Sequence, residues 1–288
     1  MTSDEFLWRR LDPAKGKALE NGCLEDTRVN ILDAAKDWWH NTGAPNNILW
    51  IVGAPGAGKS TLATTIVKEL AEAEPFCAKF FCSRDVRNLR DPRRIWRTLA
   101  YELAKNHEGV KAALMRILDE KKGDPQDDTV LDQFQQLIKH PLETHFKESR
   151  LQLRKAPYPV IIIDAIDECY SANGDDWNSL LKSLILWTNL SNPANFKLIV
   201  TGLERPDIGE TLGGMALRID LTTGEDVTED STRDIETFFA KKFAWIRKDF
   251  PHSNLPQDWP SREDLSEMTA YAAGLFLWAD LVIKYVGQ

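Results

Sequence analysis

The chain has 288 residues, 43% hydrophobic and 28% charged, with 44 Asp and Glu against 36 Lys and Arg for a formal net charge of −8. This usage excludes a disordered or fibrous chain and leaves room for one large α/β domain with a smaller helical appendage. The acidic balance argues against a nucleic-acid binder, which needs a basic face, and no apolar run reaches the roughly 18 residues of a membrane span, so the chain reads as cytoplasmic.

Residues 1–47 form a polar lead-in with one expected helix, Arg28 to His40, whose Val29, Ile31, Leu32, Ala35, Trp38 and Trp39 make an apolar face. A turn cluster from Gly43 to Asn47 precedes Ile48-Leu49-Trp50-Ile51-Val52, an unbroken apolar run that reads as a strand buried on both faces. Ser60 to Ala73 has Leu62, Ile66, Val67 and Leu70 at helical spacing, and Phe76 to Cys82 reads as a second strand. Arg84, Arg87, Arg90, Arg93, Arg94 and Arg97 form a basic stretch interleaved with Asp85 and Asp91, which reads as a solvated face. Asp91-Pro92 opens a helix carrying Ile95, Trp96, Leu99, Ala100 and Leu103. Val110 to Leu118 and Val130 to Phe146 continue the helical pattern, with a charged loop from Lys121 to Asp128 between them.

Pro157-Tyr158-Pro159 halts the preceding helix, and Val160-Ile161-Ile162-Ile163 reads as a central parallel strand. Trp177 to Leu190 is expected as a helix, Phe196 to Thr201 as a fourth strand and Leu217 to Leu221 as a short fifth. Two helices follow, Thr232 to Asp249 and Arg262 to Tyr285, separated by a Pro-containing loop from Pro251 to Pro260. The alternation predicts a P-loop-type three-layer α/β/α domain with a parallel sheet over 48–222, then a small helical domain over 223–288. Cys23, Cys77, Cys82 and Cys169 lack both CxxC spacing and His companions and read as reduced thiols, and the ten Trp residues read as core and interface fillers.

Gly53-Ala54-Pro55-Gly56-Ala57-Gly58-Lys59-Ser60 fits G-x-x-x-x-G-K-[ST] without a mismatch, directly after a strand and before a helix. Glycines at positive φ turn successive N–H groups inward, where with a helix N-terminus they cradle phosphate oxygens. Lys59 is expected to reach the β- and γ-phosphates of ATP or GTP, Ser60 to offer its hydroxyl to Mg2+, and Thr61 to sit near the α-phosphate. In Val160 to Glu168, Asp164 ends a hydrophobic strand where open sheets bind ligands, suited to holding Mg2+ directly or through water. Asp167 and Glu168 lie one turn on, so that either one orients or deprotonates an attacking water. The other reading of this acid pair is a solvated helix cap.

The pairing of GAPGAGKST with IIIDAIDEC resembles the NACHT family of STAND nucleotide-binding switches, particularly its fungal members. Cys23-Leu24-Glu25-Asp26-Thr27-Arg28 looks like the fungal lead-in C-L-x-x-T-R, and Gly274-Leu275-Phe276-Leu277-Trp278-Ala279 like the G-L-F-L-W-A helix, so the landmarks span most of the chain. The resemblance implies a latch, closed with ADP and open and homo-oligomeric with triphosphate, that hydrolyses slowly, with the Arg28 region and the Gly274 helix framing base and ribose. It also implies flanking effector and sensor regions, which this sequence does not contain. Members commonly carry T-S-R-P-E after the fourth strand, with the Arg sensing the γ-phosphate. Here the aligned stretch is Thr201-Gly202-Leu203-Glu204-Arg205-Pro206, which puts Leu203 at the Arg position and leaves Arg205 as a substitute two residues on, or as a surface loop Arg. Three readings follow: a slow NTPase switch core, a nucleotide-holding oligomerisation module without useful catalysis, or a kinase using the Arg84 to Arg97 stretch as a lid.

Overall fold

The computed structural model describes residues 2–16, 19–73, 77–120, 123–149, 159–169, 174–190, 196–249, 256 and 258–287. The expected strand start at Phe76, the loop start at Lys121, the Pro157-Tyr158 stop and residues 251–255 lie outside them.

Five strands form one parallel sheet: β1 (Ile48–Gly53), β2 (Cys77–Phe81), β3 (Val160–Asp164), β4 (Lys197–Gly202) and β5 (Ala216–Leu221). Their order is β2-β3-β4-β1-β5. Successive side chains of a strand point to opposite faces, and the core divides accordingly. Ile48, Trp50 and Val52 join one apolar cluster with Leu99, Leu103 and Leu184, whereas Leu49 and Ile51 join another with Trp38, Leu62 and Ile66. The first cluster is closed by α1 (Ser3–Leu11), α4 (Ile95–Asn106), α5 (Glu108–Glu120) and α8 (Gly174–Trp187); the second by α2 (Val29–His40) and α3 (Lys59–Ala73). The fold is therefore a three-layer α/β/α parallel sheet. Each fully buried aliphatic in these layers contributes about 1.5–3 kcal/mol.

Between α5 and β3 one continuous helix runs from α6 (Val130–Gln133) through a π-helical stretch, Phe134–Lys139, into α7 (His140–Ser149). After β4 comes a short α9 (Pro206–Leu212), whose Ile208 and Leu212 are fully buried. Beyond β5, α10 (Glu229–Asp249), α11 (Arg262–Ala272) and α12 (Phe276–Val286) gather a third cluster around Ile235, Phe238, Phe239, Phe243, Ala272 and Ala279.

Three sequence expectations are corrected. The lead-in contains a second helix, α1, started by a capping box between Thr2 and Glu5 and anchored by Leu7 and Leu11. The single helix expected from Arg262 to Tyr285 is broken at Ala273 (φ 43°) and Gly274 (φ 82°). A Cβ on Gly274 would stand 2.6 Å from the Thr222 carbonyl, so the chain turns there under a left-handed cap that only glycine fits. The basic stretch is not uniformly a solvated face either. Arg97 is buried and donates to the Leu11 carbonyl at 3.0 Å, and Arg94 pairs with Asp12 at 2.8 Å, so these two guanidiniums tie α4 to the end of α1.

Candidate functional site

The loop from Gly53 to Ser60 joins β1 to α3 at the C-terminal edge of the sheet. A Cβ on Gly53 would lie 2.8 Å from the Leu221 Cβ, so glycine lets β5 close against the start of the loop. Gly56 (φ 83°) and Gly58 (φ 93°) take left-handed conformations that L side chains disfavour by about 1–2 kcal/mol. A reverse turn over residues 54–57, Ala57 N–H to Ala54 carbonyl at 3.2 Å, contains the first of them. The first turn of α3 carries no acidic side chain, so its N-terminal partial positive charge stays unopposed by its own residues.

Lys59 is buried, and its Nζ donates to the carbonyls of Gly53 (2.7 Å) and Ala54 (3.0 Å), folding the ammonium back over the loop. Burial pushes its pKa below the ordinary lysine value, against the pull of Asp167, Asp164 and Glu168. Asp164, the last residue of β3, is also buried; burial raises its pKa, while hydrogen bonds from Thr201 and Ser60 and the charge of Lys59 favour the carboxylate. Thr201 on β4 donates to Asp164 Oδ1 at 2.5 Å and accepts from the Ala165 N–H at 2.9 Å. The strand order makes this contact possible, because β4 lies between β1 and β3. Thr201 is a member of the site that motif reading did not assign, its one signal being a hydroxyl at the end of an apolar strand.

Ala165 is left-handed (φ 52°), and the 3₁₀ turn Ile166–Glu168 that follows carries the acid pair. Asp167 Oδ1 accepts from the Leu203 N–H at 2.9 Å, and a Cβ on Gly202 would press within 3.0 Å of that oxygen. Glu168 Oε2 accepts from the Arg84 N–H at 3.1 Å. Arg84, Asp167, Glu168, Leu203 and Arg205 line one cavity of about 350 Å³. Beneath the turn, the sulfurs of Cys82 and Cys169 are 3.1 Å apart; burial pushes the Cys82 thiol well above its usual value, which suits a packed, protonated group rather than a nucleophile.

Leu203 therefore stands beside the acid pair with an apolar side chain and contributes only its backbone. Arg205 reaches the same cavity, but its guanidinium is held by Asp207 through two hydrogen bonds, 3.1 and 2.8 Å, and lies 5.1 Å over the Trp177 ring. Arg28 links the start of α2 to α10 and to the glycine loop. It caps α2 in a left-handed conformation, its backbone N–H donates to Asp234 (2.9 Å), and its guanidinium reaches Ser231 Oγ (3.0 Å) and the Ala57 carbonyl (3.0 Å). The same guanidinium lies 4.8 Å over the Phe276 ring. It also lines a second cavity of about 350 Å³ between the starts of α2 and α10. Thr61 sits in the first turn of α3, half-buried.

The last helix meets the loop directly. Leu277 donates its N–H to the Gly56 carbonyl at 3.1 Å, and a Cβ on Gly58 would touch Phe276 at 3.8 Å. Among the described residues no group of three or more His, Cys, Asp and Glu converges as a metal cage. A divalent ion sharing its shell with phosphates and water needs only one or two carboxylates, so Asp164 with Ser60 fits that donor set. No described helix is long and apolar enough to cross a membrane.

The parallel sheet, glycine loop and acid-ended strand define a P-loop nucleotide-binding core of the NACHT/STAND kind. Over residues 27–202 the sequence matches the family model described as nephrocystin 3, N-terminal, and the chain belongs to that family. It is 26% identical over 287 residues to vegetative incompatibility protein HET-E-1 of Podospora anserina, an alignment covering 96% of this chain and 19% of that protein. The chain thus spans about a fifth of the relative's length. The fold is also that of the Walker-type ATPase PABY2304 of Pyrococcus abyssi, with a TM-score of 0.54, 13% identity, and coverage of 94% of this chain and 71% of that one.

Proposed function

We propose that this chain is the nucleotide-dependent switch core of a STAND/NACHT signalling receptor, binding ATP or GTP with Mg2+ at Gly53 to Thr61. The observation that carries the reading is the hydrogen bond from Leu277 to Gly56: the loop suited to phosphates is also the seat of the last helix, so a ligand in one moves the other. In this reading 1–47 is a lead-in, 48–222 the nucleotide-binding domain and 223–288 a helical domain whose seating reports occupancy. The protein acts in the cytoplasm, and triphosphate binding opens a homo-oligomerising face. The similarity to a vegetative incompatibility protein supports a role in fungal self-recognition or immunity.

Backbone N–H groups of the loop and the α3 N-terminus orient the phosphates, and Lys59 swings from the Gly53 and Ala54 carbonyls to the terminal phosphates. Ser60 and Asp164 would hold Mg2+, which would supply Lewis-acid charge to the phosphate oxygens. Asp167 or Glu168 orients the attacking water and takes its proton, giving slow hydrolysis of the terminal anhydride. A second reading, nucleotide holding without useful turnover, is favoured by Leu203 beside the acids and by the Arg205 pairing with Asp207. Quantifying nucleotide that co-purifies with wild type and Lys59→Ala tests the binding claim; a wild type that carries none and binds none on titration ends it. Single-turnover hydrolysis by wild type and Glu168→Gln separates the two readings, since equal background rates leave only the holding module.

A further inference from the structure

The cavity beyond the acid pair contains two cations, and only one of them is free to turn toward a phosphate. Arg205 is clamped in a bidentate pair with Asp207. Burial pushes the Asp207 carboxyl up, yet hydrogen bonds from Arg205 and Trp177 carry it below its ordinary range, so releasing Arg205 would expose a committed carboxylate. Arg84 is held in the opposite way. Its backbone is fixed at both ends: the N–H donates to Glu168, and the carbonyl accepts from Arg90 at 3.4 Å, within a loop closed by Ser83 N–H to Leu89 carbonyl at 3.2 Å. Its side chain is 64% exposed, and the guanidinium lies 3.6 Å from Glu168 Oε1, a single loose contact. Asp167, Glu168 and Arg84 line the same cavity, and Leu203 brings no charge to it.

We propose that Arg84 is the residue that contacts the terminal phosphate of a bound nucleoside triphosphate. Resting on Glu168, its guanidinium exchanges that carboxylate for the γ-phosphate when the ligand enters, and so frees Glu168 Oε1 to face water. The exchange exploits charge: two unpaired acids would repel an incoming polyanion, and a mobile guanidinium on a fixed backbone offsets that repulsion with a planar, bidentate donor. Arg84 follows β2, whereas the γ-phosphate contact implied by resemblance follows β4, so a different strand of the sheet does this work here.

This inference rests on the reading of Gly53 to Ser60 as a nucleotide loop. The experiment measures affinities for a non-hydrolysable ATP or GTP analogue and for the matching diphosphate with Mg2+. Wild type, Arg84→Ala, Arg84→Lys, Arg205→Ala and Arg87→Ala are compared, the last removing an equal charge three residues away. The expected result is that Arg84→Ala weakens the triphosphate analogue about tenfold or more and leaves the diphosphate within about twofold. Arg84→Lys should recover part of the loss and Arg87→Ala change neither ligand. Equal weakening of both ligands by Arg84→Ala, or no weakening, overturns the role of Arg84 while the nucleotide site stands. A selective loss at Arg205→Ala instead assigns the contact to Arg205. If wild type binds neither ligand, the nucleotide reading itself falls and takes this inference with it.

Discussion

The N–H of Leu277, in the first turn of the last helix, is hydrogen-bonded to the carbonyl of Gly56, in the middle of the glycine loop, at 3.1 Å. Residues at opposite ends of the chain therefore share one peptide-to-peptide contact, and the Leu277 Cβ stands 3.0 Å from where a Gly56 side chain would begin. Replacing Gly56 with Ala combines left-handed backbone strain with that close approach. We expect a loss of about 1–3 kcal/mol in denaturant unfolding and faster amide exchange across α12 than across α3. Uniform exchange in both helices would show that the loop and α12 are not coupled.

Arg28 joins three elements through one guanidinium. Truncation to Ala leaves the Ala57 carbonyl and Ser231 Oγ without their shared donor and removes the guanidinium 3.7 Å from Asp234, whose pKa burial already raises, while the backbone hydrogen bond to Asp234 stays. The expected cost is about 3 kcal/mol, with little recovery in Arg28→Lys, because an ammonium cannot span the three partners. Urea denaturation of the two variants measures it; near-wild-type stability for either would remove Arg28 as a strut.

Asp164 is costly to the fold when ionised. Its folded pKa is raised by burial above the ordinary 3.8, so as pH falls through the folded value the folded state takes up a proton before the unfolded chain does. The stability contribution of this residue therefore rises as pH falls toward 3.8 and is complete below it, while affinity for a divalent ion falls over the same window. Asp164→Asn should show neither pH effect, melt at or above the wild-type temperature near neutrality, and lose Mg2+-dependent nucleotide binding. A variant that melts well below wild type would contradict this assignment of the cost.

Lys197 is buried, donates to the Asn41 carbonyl at 3.0 Å, and lies 4.6 Å over the Trp38 ring. Burial lowers its pKa from 10.5 to about 8. Above about pH 8 the folded state releases a proton that the unfolded chain still holds, so unfolding free energy should rise from pH 8 to 10.5 and then level off. Stability profiles of wild type and Lys197→Met check this, the rise being expected in wild type alone; parallel profiles would refute it.

Much of this architecture was legible because the residues that carry it are chemically one-sided. Ile48 to Val52 and Val160 to Ile163 admit no polar face, and the glycines of the loop occupy positions where backbone conformation, not packing, decides identity. What escaped was set by tertiary contact. The break at Gly274 depends on the nearness of the Thr222 carbonyl, and the burial of Arg97 depends on α1, whose only local signals are Thr2, Glu5 and two leucines. Thr201 joins the site because of strand order, which no local pattern encodes.

Strand order also bears on how the chain is made. β1 emerges early in synthesis, yet both of its partners, β4 and β5, come from Lys197 onward. Until Lys197 to Gly202 have left the ribosome, Ile48 to Val52 have neither hydrogen-bonded neighbour, and a nascent chain presents an apolar, β-prone segment to whatever is nearby. Premature termination anywhere before β4 therefore yields an aggregation-prone fragment, not a smaller working core, and chaperone contact during translation should concentrate on that first strand.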